Sequence, residues 1–418
     1  MNGRLSVRKW LSKRIGSGAD RTLTRWSLGF IGLLVVVGVF GKLIANNKPL
    51  YCVLAGETRF PAVYDLWTTF GPGEWSAEDR FRNWKKETYE SVLWPPIPYG
   101  PTEIDMGNSD YVSPFDPQEV VSLRWRHWLG TDKLGRDVLS ALISGAGIAL
   151  LVGLLAMSVA LLIGLTLGSL AGYFGNSGMR ITRLRLVLNL FALFPALFYG
   201  FIARKYAIAE GSGAALVVSV LIFVGVILLF NGIAALIERA RPQLHRYPFP
   251  LDDLIMRFIE VINSIPGLLL LLSLVAVLKE RSLISIMLII GLIGWTGIAR
   301  FTRAELLKIR QLEYITAARA LGYSDFRILL RHALPNALKP VLIATAFGIA
   351  GAVLLEASLS FLGIGAGTEE MSWGYLLNLG RKQTSAWWLA LFPGLAICLT
   401  VLSFNLVGEA LSERVSGE

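Results

Sequence analysis

Charge is what this 418-residue chain has least of: 17% of its residues are Asp, Glu, Lys or Arg, while 54% are hydrophobic. A water-soluble core of this length has no need of so many long uncharged windows, so composition alone points to a polytopic membrane protein. The three histidines (His127, His245, His332) are scattered, and the two cysteines, Cys52 and Cys398, are far apart. Neither a metal site nor redox chemistry nor a disulfide is indicated. There is no G-x-x-x-x-G-K-[ST] phosphate loop and no H-E-x-x-H, so no catalytic residue and no cofactor is assigned.

What is present is a series of apolar stretches long enough to cross a bilayer, at about 26–45, 147–172, 186–203, 213–237, 257–278, 282–299, 341–363 and 387–409. They predict an all-α protein of about eight spans. Pro195 is expected to kink the third. Lys and Arg positions orient them. Seven basic residues against Asp20 in 1–25 keep the N-terminus in the cytoplasm, and the loop Arg300–Lys339 has eight against three acids. Both termini, including a short tail at 412–418, are then cytoplasmic. Arg204 and Lys205 fall outside as exceptions. A signal peptide is the competing reading of the first stretch, without an obvious cleavage site near Asn46.

The net charge of +10 is accounted for by these inward loops, so nucleic acid is not an expected partner. Trp26, Trp387 and Trp388 at span ends read as interfacial anchors in membrane lipid. Between the first two spans lies an extracytoplasmic segment, 46–126, with twelve acids, eight basic residues and Pro-rich stretches. Two readings stand: a small domain that meets a delivering protein, or a loop packed on the membrane domain. So much Pro with so little periodicity favours packing.

One segment interrupts the apolar chain with a polar, alanine-rich pattern: EYITAARALGYSDFRILLRHALPN, Glu313 to Asn336. Ala317, Ala318 and Ala320 give a small-sided helix, and Gly322 suits the left-handed residue that ends it. Ser324 caps a second helix, Asp325 suits its N-terminal end, and Pro335 is expected to stop it. The hairpin reads either as a docking plug for a cytoplasmic partner or as an amphipathic surface helix.

This hairpin is similar to the EAA loop of ATP-binding-cassette importer permeases, in the dipeptide, oligopeptide and nickel branch. HWLGTDKLGRDVL at His127–Leu139, EASLSFLGIG at Glu356–Gly365, the following Ser372–Gly374, and WLALFPGLAICLTVLSFN at Trp388–Asn405 resemble the same branch. The resemblance covers roughly 127–175 and 250–411, within a permease domain at 127–411. It implies a type I importer permease fold: a six-helix core, here with an inserted pair at about 176–250. It also implies a second homologous permease subunit, two ATPase subunits and an external solute-binding protein as partners, in a bacterial inner membrane. Glu313, Ala317, Ala318, Gly322, Asp325 and Pro335 would form the ATPase-coupling loop (300–339). Thr316 stands where that loop's naming Glu is expected. Peptides, or nickel, are the implied cargo.

For the translocation path the candidates are Glu356, the one acid well inside a span, and Glu260, Asn263 and Pro266 in FIEVINSIPG, a polar face followed by a kink. Packing is the equal alternative for both. A secondary transporter with its own ion-coupling site is the rival class. A membrane scaffold without transport is a third.

Overall fold

The computed structural model describes residues 3–54, 56–70, 74–76, 78–79, 82–209, 213–277, 282–365 and 370–416. In chain order the main elements are α1 (Gly3–Ile44), β1 (Tyr51–Leu54), β2 (Glu57–Arg59), α2 (Pro61–Phe70), β3 (Ser91–Leu93), α3 (Val138–Ser169), β4 (Arg180–Thr182), α4 (Arg183–Leu197), α5 (Lys205–Ala209), α6 (Gly213–Ala240) and β5 (Arg246–Pro248). They continue with α7 (Leu251–Asn263), α8 (Gly267–Val277), α9 (Leu283–Ile309), α10 (Glu313–Ala320), α11 (Asp325–Ile328), α12 (Leu334–Phe361), α13 (Trp373–Lys382) and α14 (Trp388–Ser416). Among the described residues seven helices are long and apolar enough to cross a membrane, or eight if α7 and α8 count as one span. The protein is all-α in its membrane part, with two small antiparallel sheets besides.

The span expected at 257–278, with a kink after its polar face, is two helices bent by 82°. Pro266 has no N–H to continue the ladder, and the break falls at Ser264–Pro266, immediately before α8. The last helix runs to Ser416, so residues 412–416 of the expected tail belong to it. Its polar end carries no Gly or Pro that would stop it earlier.

Contacts divide the chain into two compact units, 1–168 with 260–418, and 169–259. In the larger unit α3 and α9 come close along small residues: a Cβ on Gly164 would stand 2.8 Å from the Trp295 carbonyl, and one on Gly168 2.5 Å from that of Ala299. A second layer joins Leu34 of α1, Ala146 and Leu150 of α3, Val353 of α12, Trp373 of α13 and Ile397 of α14. The smaller unit is a pair of apolar helices, α4 and α6, clasped at three levels. Arg185 and Thr182 both bond Glu238 at 2.8 and 2.7 Å, the amides of Asn189 and Asn231 pair at 2.7 Å, and Arg204 donates to Ser219 at 3.1 Å. Arg204 is thus half-buried in a hydrogen bond. Residues 210–212 of the connection lie outside the described residues.

Segment 46–126 has a small sheet and an aromatic cluster of its own and packs on the start of α3, within the larger unit. Strand β1 pairs with β2 and β3, and Cys52, Trp84 and Trp94 form a buried cluster with Trp75, Tyr89 and Trp125 around it. Aromatic bulk replaces the periodic aliphatic core that the sequence lacks. The segment is then bolted to the start of α3. His127, fully buried, meets Asp137 at 2.9 Å through Nδ1 and Asp105 at 3.2 Å through Nε2, with the Tyr99 ring 4.2 Å away. Asp137 also accepts from the Ser140 amide at 2.6 Å, capping α3, and the Ser140 hydroxyl donates to the Tyr99 carbonyl. That cap starts the helix at Val138, nine residues before the expected start of the span at 147. Trp388 is no surface anchor: it is buried and donates to the Thr131 carbonyl at 3.0 Å. Both cysteines are free, Cys52 buried and Cys398 exposed.

Burial pushes the Asp105 carboxyl up, but hydrogen bonds from Asn108 and His127 outweigh it and hold the group below the usual carboxylate range. A folded value below the unfolded one adds stability that is complete above about pH 4 and lost as pH falls through the folded value. The unfolding temperature should therefore be level from about pH 7 to 5 and fall below about pH 4. Asp105→Asn should lower it at neutral pH and flatten part of the acid limb. Scanning fluorimetry across pH measures both, and an unaltered acid limb in the variant would refute the assignment.

Candidate coupling hairpin and membrane path

The hairpin begins after three residues, Arg310 to Leu312, beyond the end of α9. Leu312 precedes α10, whose first turn carries Glu313, and whose inner face is Ile315 and Ala318, both buried. Gly322 has φ +80°, the Tyr323 amide reaches the Ala318 carbonyl at 3.3 Å, and the Gly322 amide reaches Arg319 at 3.0 Å. These are the two bonds of a Schellman turn, which needs a left-handed residue at this place. A Cβ on Gly322 would meet nothing within 4 Å, so only its backbone conformation resists substitution. Arg319 and Asp325 face each other across the turn at 3.6 Å, both half-exposed. Arg327 lies over Tyr323, whose ring stacks on His332.

Glu313, Ala317, Gly322, Asp325 and Pro335 are exposed. Ala318 is not. It stands three residues from Ile315 on the inner face, so the expected close approach of a partner to Ala318 gives way to packing inside the hairpin. Pro335 does not stop the second helix either. Leu329–Ala333 forms a π turn, in which the Leu334 amide bonds the Leu329 carbonyl, and α12 restarts with Pro335 in its first turn. A proline there lacks only an N–H that the restart leaves unused. Residues 325–361 thereby run as one 37-residue helix. Ser324 sits at the cap position of α11 without a side-chain bond.

The sequence reading passed over the apolar side chains at the tip. Leu321 is 74% exposed, and Tyr323, Phe326 and Leu330 are exposed with it. The signal was present: with Ile315, Ala318, Ile328 and Leu329 on the buried side, the remaining apolar residues have to face outward.

The path candidates separate. Glu260, Asn263 and Pro266 lie exposed at the α7–α8 break, where Thr296 donates to Asn263 at 3.2 Å. Glu356 is 3% exposed and ties helices together: Ser360 donates to it at 2.6 Å, and it is also hydrogen-bonded by Ser372, whose hydroxyl caps α13. It therefore faces no open surface of this subunit.

Residues 233–417 match the family described as binding-protein-dependent transport system inner membrane component. The glutathione transport system permease protein GsiD of Pectobacterium atrosepticum is 30% identical over 69% of this chain and 72% of its own length. The inner membrane ABC transporter permease protein YejE of Escherichia coli is 29% identical over 93% of this chain and 91% of its own, and the peptidoglycan transport system permease protein YejE of Agrobacterium fabrum 27% over 93% and 88%. The apolar spans, the hairpin between two of them and these matches agree: the chain belongs to the binding-protein-dependent transport permeases, the multi-pass inner-membrane components of ATP-binding-cassette importers.

Proposed function

We propose that this permease carries peptides, including peptide fragments of the cell wall, as one of two permease subunits served by two ATPase subunits. Permeases of this family work with an ATPase and a substrate-binding protein. The cargo reading rests on relatives that are named for dipeptide, glutathione and peptidoglycan transport. ATP hydrolysis belongs to the partner subunits. Both termini and loop 300–339 lie in the cytoplasm, and 46–126 lies outside, on the strength of the basic residues in those loops.

The observation that carries the reading is the hairpin: an exposed apolar tip of Leu321, Tyr323 and Phe326 on a fixed turn, at the head of one long helix. An apolar patch beside a basic loop is poorly placed to lie bare in water, and a cleft on an ATPase would cover it. ATP-driven closure of the ATPases would then move the tip, and the spans with it, between outward and inward access. Glu260 and Asn263, exposed at the break, are the path candidates that fit this reading; Glu356 fits a structural tie.

Gly322→Val should impose strain of about 1–2 kcal/mol at one turn. It should leave membrane insertion unchanged, yet reduce the ATPase recovered on co-purification and abolish transport-coupled hydrolysis. Gly322→Asn, which tolerates the left-handed conformation, should be mild. Wild-type coupling in the valine variant would return the secondary-transporter reading to the front.

Orientation is checked by single cysteines on a cysteine-free background. Positions 60 and 123 should react with an impermeant maleimide in intact cells, and position 321 should not; labelling at 321 would invert the topology.

A deletion strain should lose uptake of labelled oligopeptides and of cell-wall peptide fragments while keeping nickel uptake. The opposite pattern would move the cargo to the metal branch.

A further inference from the structure

Beside the crossing of α1 and α3 there is a cavity of about 660 Å³, within the size range of ligand pockets. Its lining changes character along its length. Deep in the spans it is aliphatic, from Val35 and Val39 of α1 and Leu150, Leu151 and Leu154 of α3. Toward segment 46–126 it becomes polar, with Lys42, Asn46, Asn47, Asp65 and Glu103. On α3 the lining runs from Ser140 to Leu154, fourteen residues or about 21 Å at 1.5 Å each. One leaflet contributes about 15 Å of a hydrocarbon core about 30 Å thick. The slot therefore has the depth of one leaflet and its polar mouth at that leaflet's surface.

We propose that this slot is a binding site for one phospholipid with a zwitterionic aminated headgroup, of the phosphatidylethanolamine kind, whose acyl chain lies along α3. Location narrows the occupant. Both walls are spans, so what fills the aliphatic part comes from the bilayer. The mouth narrows it further by charge. Lys42 is 45% exposed, and its ammonium reaches the carboxylate and the backbone carbonyl of Asp65, each at 3.4 Å, which leaves one of its three donors for a phosphate. Asp65 is taken up by Lys42, Lys48 and Asn46, and the carboxylates that the lining offers to an ammonium group are those of Glu103 and Glu370. Asp65 thus holds Lys48, and Glu103 holds Lys85 at 2.7 Å, so the rim is fixed before a lipid arrives. A mouth with both signs suits a headgroup with both signs better than a singly anionic one. The close backbone approach at Gly38 and Gly147 holds the two walls together; a Cβ on Gly147 would stand 3.2 Å from the Gly38 carbonyl. This inference rests on α1 and α3 being spans and is independent of the coupling assigned to the hairpin.

The test uses the full chain in its assembled importer, reconstituted in phosphatidylethanolamine and phosphatidylglycerol, stripped by repeated detergent exchange, and assayed for retained lipid by mass spectrometry. Wild type should retain phosphatidylethanolamine in preference to phosphatidylglycerol. Leu151→Trp, which fills the slot from a half-exposed position, should lower the retained amount at least fivefold, and Lys42→Gln should weaken it. Leu162→Trp, the same change at an exposed position of α3 outside the slot, should retain the wild-type amount. Equal retention in all four proteins, or no preference between the two lipids, would overturn the proposal. So would a photo-cross-linker at position 151 that captures a protein segment in place of lipid, since that would make the slot the seat of a partner helix.

Discussion

Pairing of the few polar groups that enter the apolar spans is the constraint on which this fold depends. Water cannot satisfy them there, and an unpaired amide or carboxyl in hydrocarbon costs several kcal/mol. Asn189 and Asn231 solve the problem with each other, Glu356 with Ser360 and Ser372, and Asn263 with Thr296. Smaller hydroxyls turn back on their own helix, as Thr345 does to the Val341 carbonyl and Ser358 to Leu354. Each inter-helix pair also fixes a register, because an apolar surface alone would let one helix slide on another. The α4–α6 pair shows this most plainly: nearly all of its outward surface is aliphatic or aromatic, and three polar clasps set its alignment.

The motif GTDKLGRDV answers a related demand at the membrane boundary, where a chain must pass from a folded segment into a span. Asp132 bonds the amides of Leu134 and Arg136 and holds the Arg136 guanidinium at 2.6 Å, closing a compact turn. Thr131 donates to Asn108 and accepts from Val112, stitching the turn to segment 46–126. Gly135 has φ +81°, and a Cβ there would lie 1.8 Å from the Asp105 carbonyl, so no other residue fits. Asp137 then caps α3 and receives His127. What reads in sequence as a family motif is here a boundary joint, in which Thr131, Asp132, Gly135 and Asp137 tie segment 46–126 to the start of the helix. The aromatic cluster around Cys52 sits on that joint through Trp94, Trp125 and Tyr99, whose rings follow one another at 5.3 and 6.1 Å.

Legibility follows the range of the interactions. The spans were readable because twenty apolar residues announce themselves locally, and Gly322 because a helix end followed by glycine has one common solution. The break at Pro266 was readable as a kink, but its 82° depends on what α7 and α8 pack against. Ala318 and Pro335 were misplaced for a physical reason: alanine is small on either face of a helix, so composition cannot tell inner from outer, and a π turn five residues long has no sequence signature that would excuse a proline. Glu356 stays open between pore acid and packing in the sequence because its partners, Ser360 four residues on and Ser372 across a loop, are serines that the sequence offers no reason to single out. The core of segment 46–126 was hidden for the same cause, since Cys52, Trp84 and Trp94 meet only after three strands and two turns have formed.

The proposed coupling draws its mechanical plausibility from continuity. Between Asp325 and Glu356 lie thirty-one residues of one helix, about 47 Å at 1.5 Å each, a distance that covers the bilayer core with a turn or more to spare on the hairpin side. Pro340 removes one bond of that helix's ladder, yet the helix continues through it to Phe361, so a displacement of the tip reaches the far end as a tilt or a shift. The π turn at Leu329–Ala333 is the one place near the tip where the ladder changes pitch, and it lies between the Gly322 turn and the membrane. At the far end Glu356 is pinned by Ser372 to α13, whose Trp373 donates to the Leu142 carbonyl of α3 at 2.9 Å. The helix that the hairpin would push thus ends in contact with α13, which is bonded to the helix that carries the joint with segment 46–126. On the coupling reading, a motion imposed inside the cell has a hydrogen-bonded route to the face where cargo would enter, and the ladder along it is interrupted at the π turn and at Pro340.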